Sequence, residues 1–156
     1  MAHRPYVAVV GPSDATSQET RAAEKIGRGL AEAGAIVITG GLGGVMAAAC
    51  HGASAVGGTT VGFLPGTDRN SANDYLQVAL PTGLGELRNG LIIRAADAVI
   101  AVGGAYGTLS EIALALRTDV PVIGLDTWDV EGIERVGTPA EAVERALQSA
   151  GRRPRS

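Results

Sequence analysis

Apolar runs of strand length alternate with helical stripes along most of the chain. The strands predicted from these runs cover residues 6–10, 36–38, 59–64, 98–102 and 120–125, with a short extra strand at 76–80. The predicted helices cover residues 16–33, 45–55, 86–96, 108–117 and 139–150. Continuous apolar runs are typical of strands buried on both faces of a parallel sheet. The pattern predicts an α/β fold, a single-domain Rossmann-like doubly wound parallel sheet with helices on both faces.

Capping signals mark the ends of two of these helices. Thr16 and Glu19 fit a capping box for the first helix, and Gly34 is placed to end it. Thr108 and Glu111 fit a second capping box, which predicts that a helix starts at Thr108 and that the Glu111 carboxylate accepts from its backbone N–H. A purely structural role for Glu111 is therefore open beside a catalytic one.

Three loops rich in glycine or short polar residues follow predicted strands, at residues 11–16, 39–44 and 103–107. Ligands of doubly wound sheets bind at the carboxyl ends of the strands, and a helix start after a glycine turn favours anions. We therefore expect a phosphate or nucleotide site there. The candidate binding residues are Gly11, Ser13, Gly40, Gly41, Gly43, Gly44, Asn89, Gly103, Gly104, Ala105, Tyr106, Gly107 and Thr108.

Size and composition restrict the classes of protein that fit. With 156 residues, of which 46% are hydrophobic and 3% aromatic, residues 1–150 are expected to form one domain with an aliphatic core, followed by a disordered basic tail at 151–156. A net charge of −3 argues against nucleic-acid binding. The absence of a signal peptide and of a membrane-length apolar segment predicts a cytoplasmic protein without a membrane partner.

Several kinds of site lack their signature residues. Cys50 is the single cysteine, and the two histidines are far apart, so no metal site is predicted. The loop after the first strand lacks G-x-G-x-x-G, and no P-loop motif occurs. Lys25, the only lysine, is predicted in mid-helix, which argues against a pyridoxal-phosphate enzyme.

Residues 39–46 and 103–111 resemble the two paired motifs of the LOG-type ("lonely guy") superfamily, whose members are often mislabelled lysine decarboxylases. The family motifs are G-G-G-x-x-G-x-M and P-G-G-x-G-T-x-x-E. Here Thr39 replaces a glycine of the first motif, while Gly103 and Ala105 replace the proline and a glycine of the second. Arg88 falls where the family has its catalytic arginine, followed by Asn89 where a lysine is usual. These departures are most similar to the branch that includes molybdenum-cofactor carrier proteins.

The resemblance implies a nucleoside 5′-monophosphate phosphoribohydrolase, which cleaves the N-glycosidic bond to free base and ribose 5-phosphate without a required cofactor. Glu111 and Arg88 are then the catalytic residues. Glu111 would stabilise an oxocarbenium-like transition state as a carboxylate. Arg88 would keep it ionised, since a neighbouring cation lowers a carboxyl pKa by roughly 1 to 3 units. The phosphate would bind at residues 104–108, beside a wall formed by the loop at 39–44.

The same resemblance leaves a non-catalytic alternative open, a carrier that holds a nucleotide or a molybdopterin-type cofactor intact. A nucleotide-dependent oxidoreductase is a weaker third interpretation. In each case the partner is a small phosphorylated ligand, a nucleoside monophosphate in the first case, and the family implies a homo-oligomer, either a dimer or a tetramer. Specificity for the base is expected from a polar loop at 65–74, which could act as a lid, and from Tyr106.

Overall fold

The computed structural model describes residues 3–152, in which parallel strands form one sheet with helices on both faces. The strands are β1 (Tyr6–Val10), β2 (Ile36–Thr39), β3 (Thr59–Leu64), β4 (Val78–Pro81), β5 (Ala98–Val102), β6 (Val122–Leu125) and β7 (Glu134–Val136). The helices are α1 (Ser17–Glu32), α2 (Val45–Ser54), α3 (Asn89–Ala95), α4 (Tyr106–Arg117) and α5 (Pro139–Arg152), with short 3-10 turns at Arg69–Ser71 and Gly85–Arg88.

The strand order is β4-β3-β2-β1-β5-β6-β7, and every neighbouring pair is parallel. The chain moves outward from β1 to β4, then returns to the other side of β1 to place β5. The order therefore reverses between β1 and β5, whose carboxyl ends meet in register at Val10 and Ala101. Ligands of such sheets bind at this switch point. The predicted Rossmann-like α/β fold is confirmed.

Aliphatic side chains fill both layers of the core, as the low aromatic content predicts. Val7 and Val9 of β1 point toward the layer of α1, α2 and α5, whereas Ala8 and Val10 point toward α3 and α4. Successive strand residues face opposite sides, so a strand covered by helices on both sides must be apolar throughout. This is the reason that unbroken apolar runs mark the central strands.

The structure differs from the predicted elements at several places. The edge strand β7 was not predicted, because its three residues include Glu134 and Arg135 and are largely exposed. The predicted helix at 86–96 is divided into a 3-10 turn and α3, which meet at Arg88. Helix α5 includes Gly151 and Arg152 of the predicted basic tail, and residues 153–156 lie outside the described residues.

Two glycines allow the backbones of α1 and α2 to touch. A Cβ on Gly27 of α1 would overlap the carbonyl oxygen of Ala49, and a Cβ on Gly52 of α2 would overlap that of Glu24. Both overlaps are with backbone atoms, which cannot rotate away. The close packing of α1 against α2 thus depends on glycine in both helices.

We predict that Gly27→Ala lowers the free energy of unfolding by about 3 kcal/mol, because the added methyl must separate two packed helices. Gly90→Ala is the matched control. It is also a helical glycine, but a Cβ there would have Leu114 Cδ2 as its nearest neighbour, at 3.8 Å. Alanine has the higher helix propensity, so this control should be neutral or stabilising. Urea titration of both variants measures the difference, and equal losses would contradict the packing argument.

Candidate functional site

Helix α4 begins at the carboxyl end of β5 without a side-chain cap. Ala105 is its N-cap residue and makes no side-chain hydrogen bond to the helix. The N–H groups of the first turn, at Tyr106, Gly107 and Thr108, therefore have no partner within the helix. A helix of this length also presents the positive end of its dipole here. The start of α4 therefore offers free N–H donors and positive potential, which are the features that anions bind at helix N-termini.

The Thr108 hydroxyl is buried and has no hydrogen-bond partner among residues 3–152. The residue is 1% exposed and lines a pocket at the start of α4. A buried polar atom without a partner costs about 1 to 3 kcal/mol. A ligand oxygen in the pocket would supply the missing partner.

The capping box predicted for Thr108 and Glu111 is wrong. Helix α4 begins two residues before Thr108, and the Glu111 side chain lines the pocket instead of closing the helix end. The early start follows from tertiary contacts of the preceding loop. The Trp128 indole N–H donates to the Ala105 carbonyl at 3.0 Å, and the Thr127 hydroxyl donates to the Gly103 carbonyl at 2.5 Å.

Arg88 is buried, which excludes the role of an ordinary surface arginine. Its Nε–H donates to the Phe63 carbonyl at 2.8 Å and an Nη2–H donates to the Gly40 carbonyl at 3.4 Å. Its Nη1 donates to the side-chain oxygen of Asn89. The guanidinium thus joins the ends of β2 and β3 to the start of α3, and it presents a cation to the same pocket.

Burial dominates the ionisation of Glu111. It raises the pKa of this carboxyl from its ordinary value of 4.5 to about 7, against the opposing attraction of the Arg88 guanidinium. Arg88 lowers the pKa of Glu111, as expected from the sequence, but desolvation is the larger effect and the net shift is upward. The expectation that Arg88 keeps Glu111 ionised at neutral pH is therefore wrong. Glu111 can hold a proton at neutral pH.

The pocket has a volume of about 220 Å³ and brings together many of the predicted residues. The predicted residues that line it are Gly11, Ser13, Gly40, Arg88, Asn89, Ala105, Gly107, Thr108 and Glu111. The predicted residues outside its lining are Gly41, Gly43, Gly44, Gly103, Gly104 and Tyr106. The lining residues that were not predicted are Val9, Val10, Pro12, Leu42 and Met46. Of these, Met46 ends the first family motif and could have been included on that signal.

Most of the motif glycines face protein atoms and not open space. A Cβ on Gly103 would overlap the Glu19 carboxylate, and one on Gly44 would overlap the Pro12 carbonyl. Both glycines also have positive φ, of 72° and 64°. Gly107 differs, because no atom lies within 4 Å of a Cβ placed there. Packing thus explains most of the glycine pattern, and Gly107 is where a ligand can approach the backbone.

The polar loop at 65–74 is tied to the site at one end. The Asn73 backbone N–H donates to the Gly41 carbonyl at 2.9 Å, and its side-chain amide donates to the Leu42 carbonyl at 3.0 Å. These bonds connect the loop to the wall that Leu42 contributes to the pocket. A lid function for this loop stays a prediction.

Neither a metal-binding cluster nor a membrane-spanning helix is found among the described residues. Across residues 3–152 no cluster of three or more His, Cys, Asp or Glu side chains could hold a metal ion. None of the helices in the same range combines the length and the apolar character that a membrane crossing requires.

Comparison with known proteins supports the branch indicated by the motifs. An uncharacterized protein of Archaeoglobus fulgidus is 40% identical over 144 residues, which are 92% of this chain and 95% of that protein. The molybdenum cofactor binding protein of the phototrophic bacterium Rippkaea orientalis has a similar structure, with a TM-score of 0.88, 33% identity and coverage of 96% of this chain and 98% of that one. The molybdenum cofactor carrier protein of Chlamydomonas reinhardtii also gives a TM-score of 0.88, with 31% identity and coverage of 96% and 100%.

The family model described as the SLOG cluster4 family matches residues 4–150. The match spans every strand and helix from β1 through most of α5. The resemblance to the LOG-type superfamily and to its molybdenum-cofactor carrier branch is confirmed. The chain therefore belongs to the SLOG cluster4 family.

Proposed function

We propose that this protein binds a phosphorylated heterocyclic ligand of the molybdenum-cofactor type at the start of α4 and carries it intact. The observation that carries the proposal is the Thr108 hydroxyl, which is buried without a hydrogen-bond partner in the first turn of the uncapped helix α4. The phosphate of the ligand would accept from that hydroxyl and from the first N–H groups of α4. Gly107 leaves open space for its oxygens.

The similar structures support this choice of ligand. Two proteins that are 31% and 33% identical to this chain over nearly their whole length are named as a molybdenum cofactor carrier and a molybdenum cofactor binding protein. A molybdopterin-type cofactor bears a phosphate, and the free N–H groups at the start of α4 would bind such a group. Arg88 would add a positive charge beside it, while a protonated Glu111 would avoid repelling the anion.

We predict that Thr108→Val weakens binding of the molybdenum cofactor about tenfold, since the phosphate loses a buried donor. The same change should raise the free energy of unfolding by about 1 kcal/mol, because it removes a buried polar atom without a partner. Anaerobic equilibrium dialysis measures the first effect, with inorganic phosphate as competitor, and urea titration measures the second.

Thr118→Val is the control for this experiment. The Thr118 hydroxyl donates to the Leu114 carbonyl at 2.8 Å, so its loss should destabilise the fold without affecting binding. Unchanged cofactor affinity in Thr108→Val would show that the phosphate does not bind at the start of α4. An equally large loss of affinity in Thr118→Val would contradict that position as well.

A second function, hydrolysis of nucleoside 5′-monophosphates, is favoured by the raised pKa of Glu111. Cleavage breaks the bond between C1′ of the ribose and a ring nitrogen, and the electron pair leaves with the base. Water then adds to C1′ and loses a proton. A carboxyl group with a pKa of about 7 can deliver a proton to the departing base or accept one from the water. Groups with strongly shifted pKa values cluster at catalytic sites.

If the protein is a hydrolase, Glu111→Gln should reduce turnover of nucleoside monophosphates at least about 100-fold, because glutamine cannot exchange the proton. Ligand affinity should change little, since the side chain keeps its size. Release of free base from a panel of monophosphates and matching nucleosides is followed by chromatography. Glu86→Gln, an exposed carboxyl before Arg88, is the control and should retain full turnover. If the parent protein releases no free base, hydrolysis is excluded and only the carrier function is left.

The raised pKa of Glu111 also predicts a dependence of stability on pH. The folded protein retains a proton between the ordinary value of 4.5 and about 7, where the unfolded chain has released it. The contribution of Glu111 is therefore fully present below pH 4.5 and is lost as the pH rises through 7, by about 3 kcal/mol in total. Glu111→Gln should remove this dependence.

The measurement is urea unfolding of both proteins at several pH values. The stability of Glu111→Gln relative to the parent should rise by about 3 kcal/mol between pH 4.5 and pH 8, since other groups cancel in the difference. A constant difference would show that Glu111 has an ordinary pKa.

A further inference from the structure

A second cavity is separate from the Glu111 pocket. It is a groove of about 530 Å³ between α1 and the start of α5, at the carboxyl ends of β5 and β6. Cavities that hold small organic ligands are typically about 300 to 1,000 Å³, a range that contains this groove. None of the thirteen candidate binding residues or the two catalytic candidates lines it. The Glu19 carboxylate, packed over Gly103, lies between the two sites.

One wall of the groove carries two cations without partners. Arg21 and Lys25 are one turn apart on α1, so they project from the same face. Neither side chain makes a hydrogen bond or an ion pair with any of residues 3–152. Other carboxylates of α1 are engaged elsewhere, Glu32 with Arg28 at 2.9 Å and Glu24 near His51 at 3.8 Å. The positive charge of this wall is therefore available to a ligand.

The groove is also lined by a carboxylate that has no partner. Asp126 follows the last residue of β6 and forms no side-chain hydrogen bond or ion pair with the residues that the structure describes. Glu19 also lines the groove, and one of its oxygens accepts from the Thr16 backbone N–H at 2.9 Å. The groove therefore combines two free cations with a free acceptor.

We infer that this groove is a second ligand site, for a small molecule that joins an anionic group to a flat heterocycle with adjacent N–H donors. Arg21 and Lys25 bind the anion, and Asp126 accepts from the N–H groups of the heterocycle. A 2-amino-oxo ring edge has such donors, and both guanine nucleotides and pterins present one. The site does not depend on the proposed function, because it shares no side chain with Thr108, Arg88 or Glu111.

The two sites can be distinguished by NMR, since the chain has a mass of only 15.7 kDa. GMP and pterin-6-carboxylate are titrated separately, with AMP and inorganic phosphate as comparison ligands. The backbone amides of Lys25 and Gly137 report on the groove, and those of Gly107 and Glu111 report on the other pocket. We expect saturable shifts at Lys25 and Gly137 with GMP, pterin-6-carboxylate or both, and about tenfold weaker binding of AMP and phosphate. Which of the two probes binds more tightly identifies the source of the ring.

Variants connect the shifts to the side chains. Arg21→Gln combined with Lys25→Gln should weaken the preferred probe at least about tenfold, and Asp126→Asn should abolish its advantage over AMP. Arg94→Gln combined with Arg117→Gln is the matched control, because it removes the same charge from exposed arginines outside both pockets. Shifts confined to Gly107 and Glu111, equal weakening in the control, or equal affinity for phosphate and the probes would overturn the inference.

Discussion

The burial of Glu111 beside Arg88 is the constraint on which the candidate site depends. A carboxyl withdrawn from water tends to keep its proton, and a guanidinium withdrawn from water must find acceptors. The chain satisfies the guanidinium with the carbonyl groups of Phe63 and Gly40, which end two neighbouring strands. The same bonds fix the wall of the pocket, and burial gives the carboxyl a pKa of about 7. Arg88 and Glu111 therefore shape the pocket and also set its charge.

The start of α4 shows the opposite arrangement, in which polar groups are left without partners. Helix ends are usually satisfied by a cap, and Thr16 with Glu19 provides one for α1. At α4 the N-cap residue is an alanine, and the nearby Thr108 hydroxyl is buried and unpartnered. A buried polar atom without a partner destabilises the fold, and a ligand that supplied the partner would remove that cost. The capped start of α1 and the uncapped start of α4 thus differ in a way that the proposed function explains.

The switch between β1 and β5 explains why two cavities occur at one edge of the sheet. Loops leaving adjacent strands diverge to opposite faces there, and each face acquires a cleft. The cleft toward α3 and α4 is small and contains Glu111, whereas the cleft toward α1 and α5 is larger and contains Arg21, Lys25 and Asp126. The Glu19 carboxylate packed over Gly103 divides them. One topological feature thus offers two chemically different environments.

The sequence alone determined the fold class, because unbroken apolar runs at β1 and β5 require a sheet covered on both faces. The sequence also predicted that Arg88, Thr108 and Glu111 lie in one site, since these residues occur at fixed spacings in the family motifs, and all three line the same pocket. The ionisation of Glu111 was decided only by the tertiary structure, because desolvation depends on neighbours distant in sequence. The start of α4 was likewise set by Thr127 and Trp128, more than twenty residues away from the carbonyls that they bind. Local patterns encode local structure, whereas burial and the partners of polar groups exist only after the chain has folded.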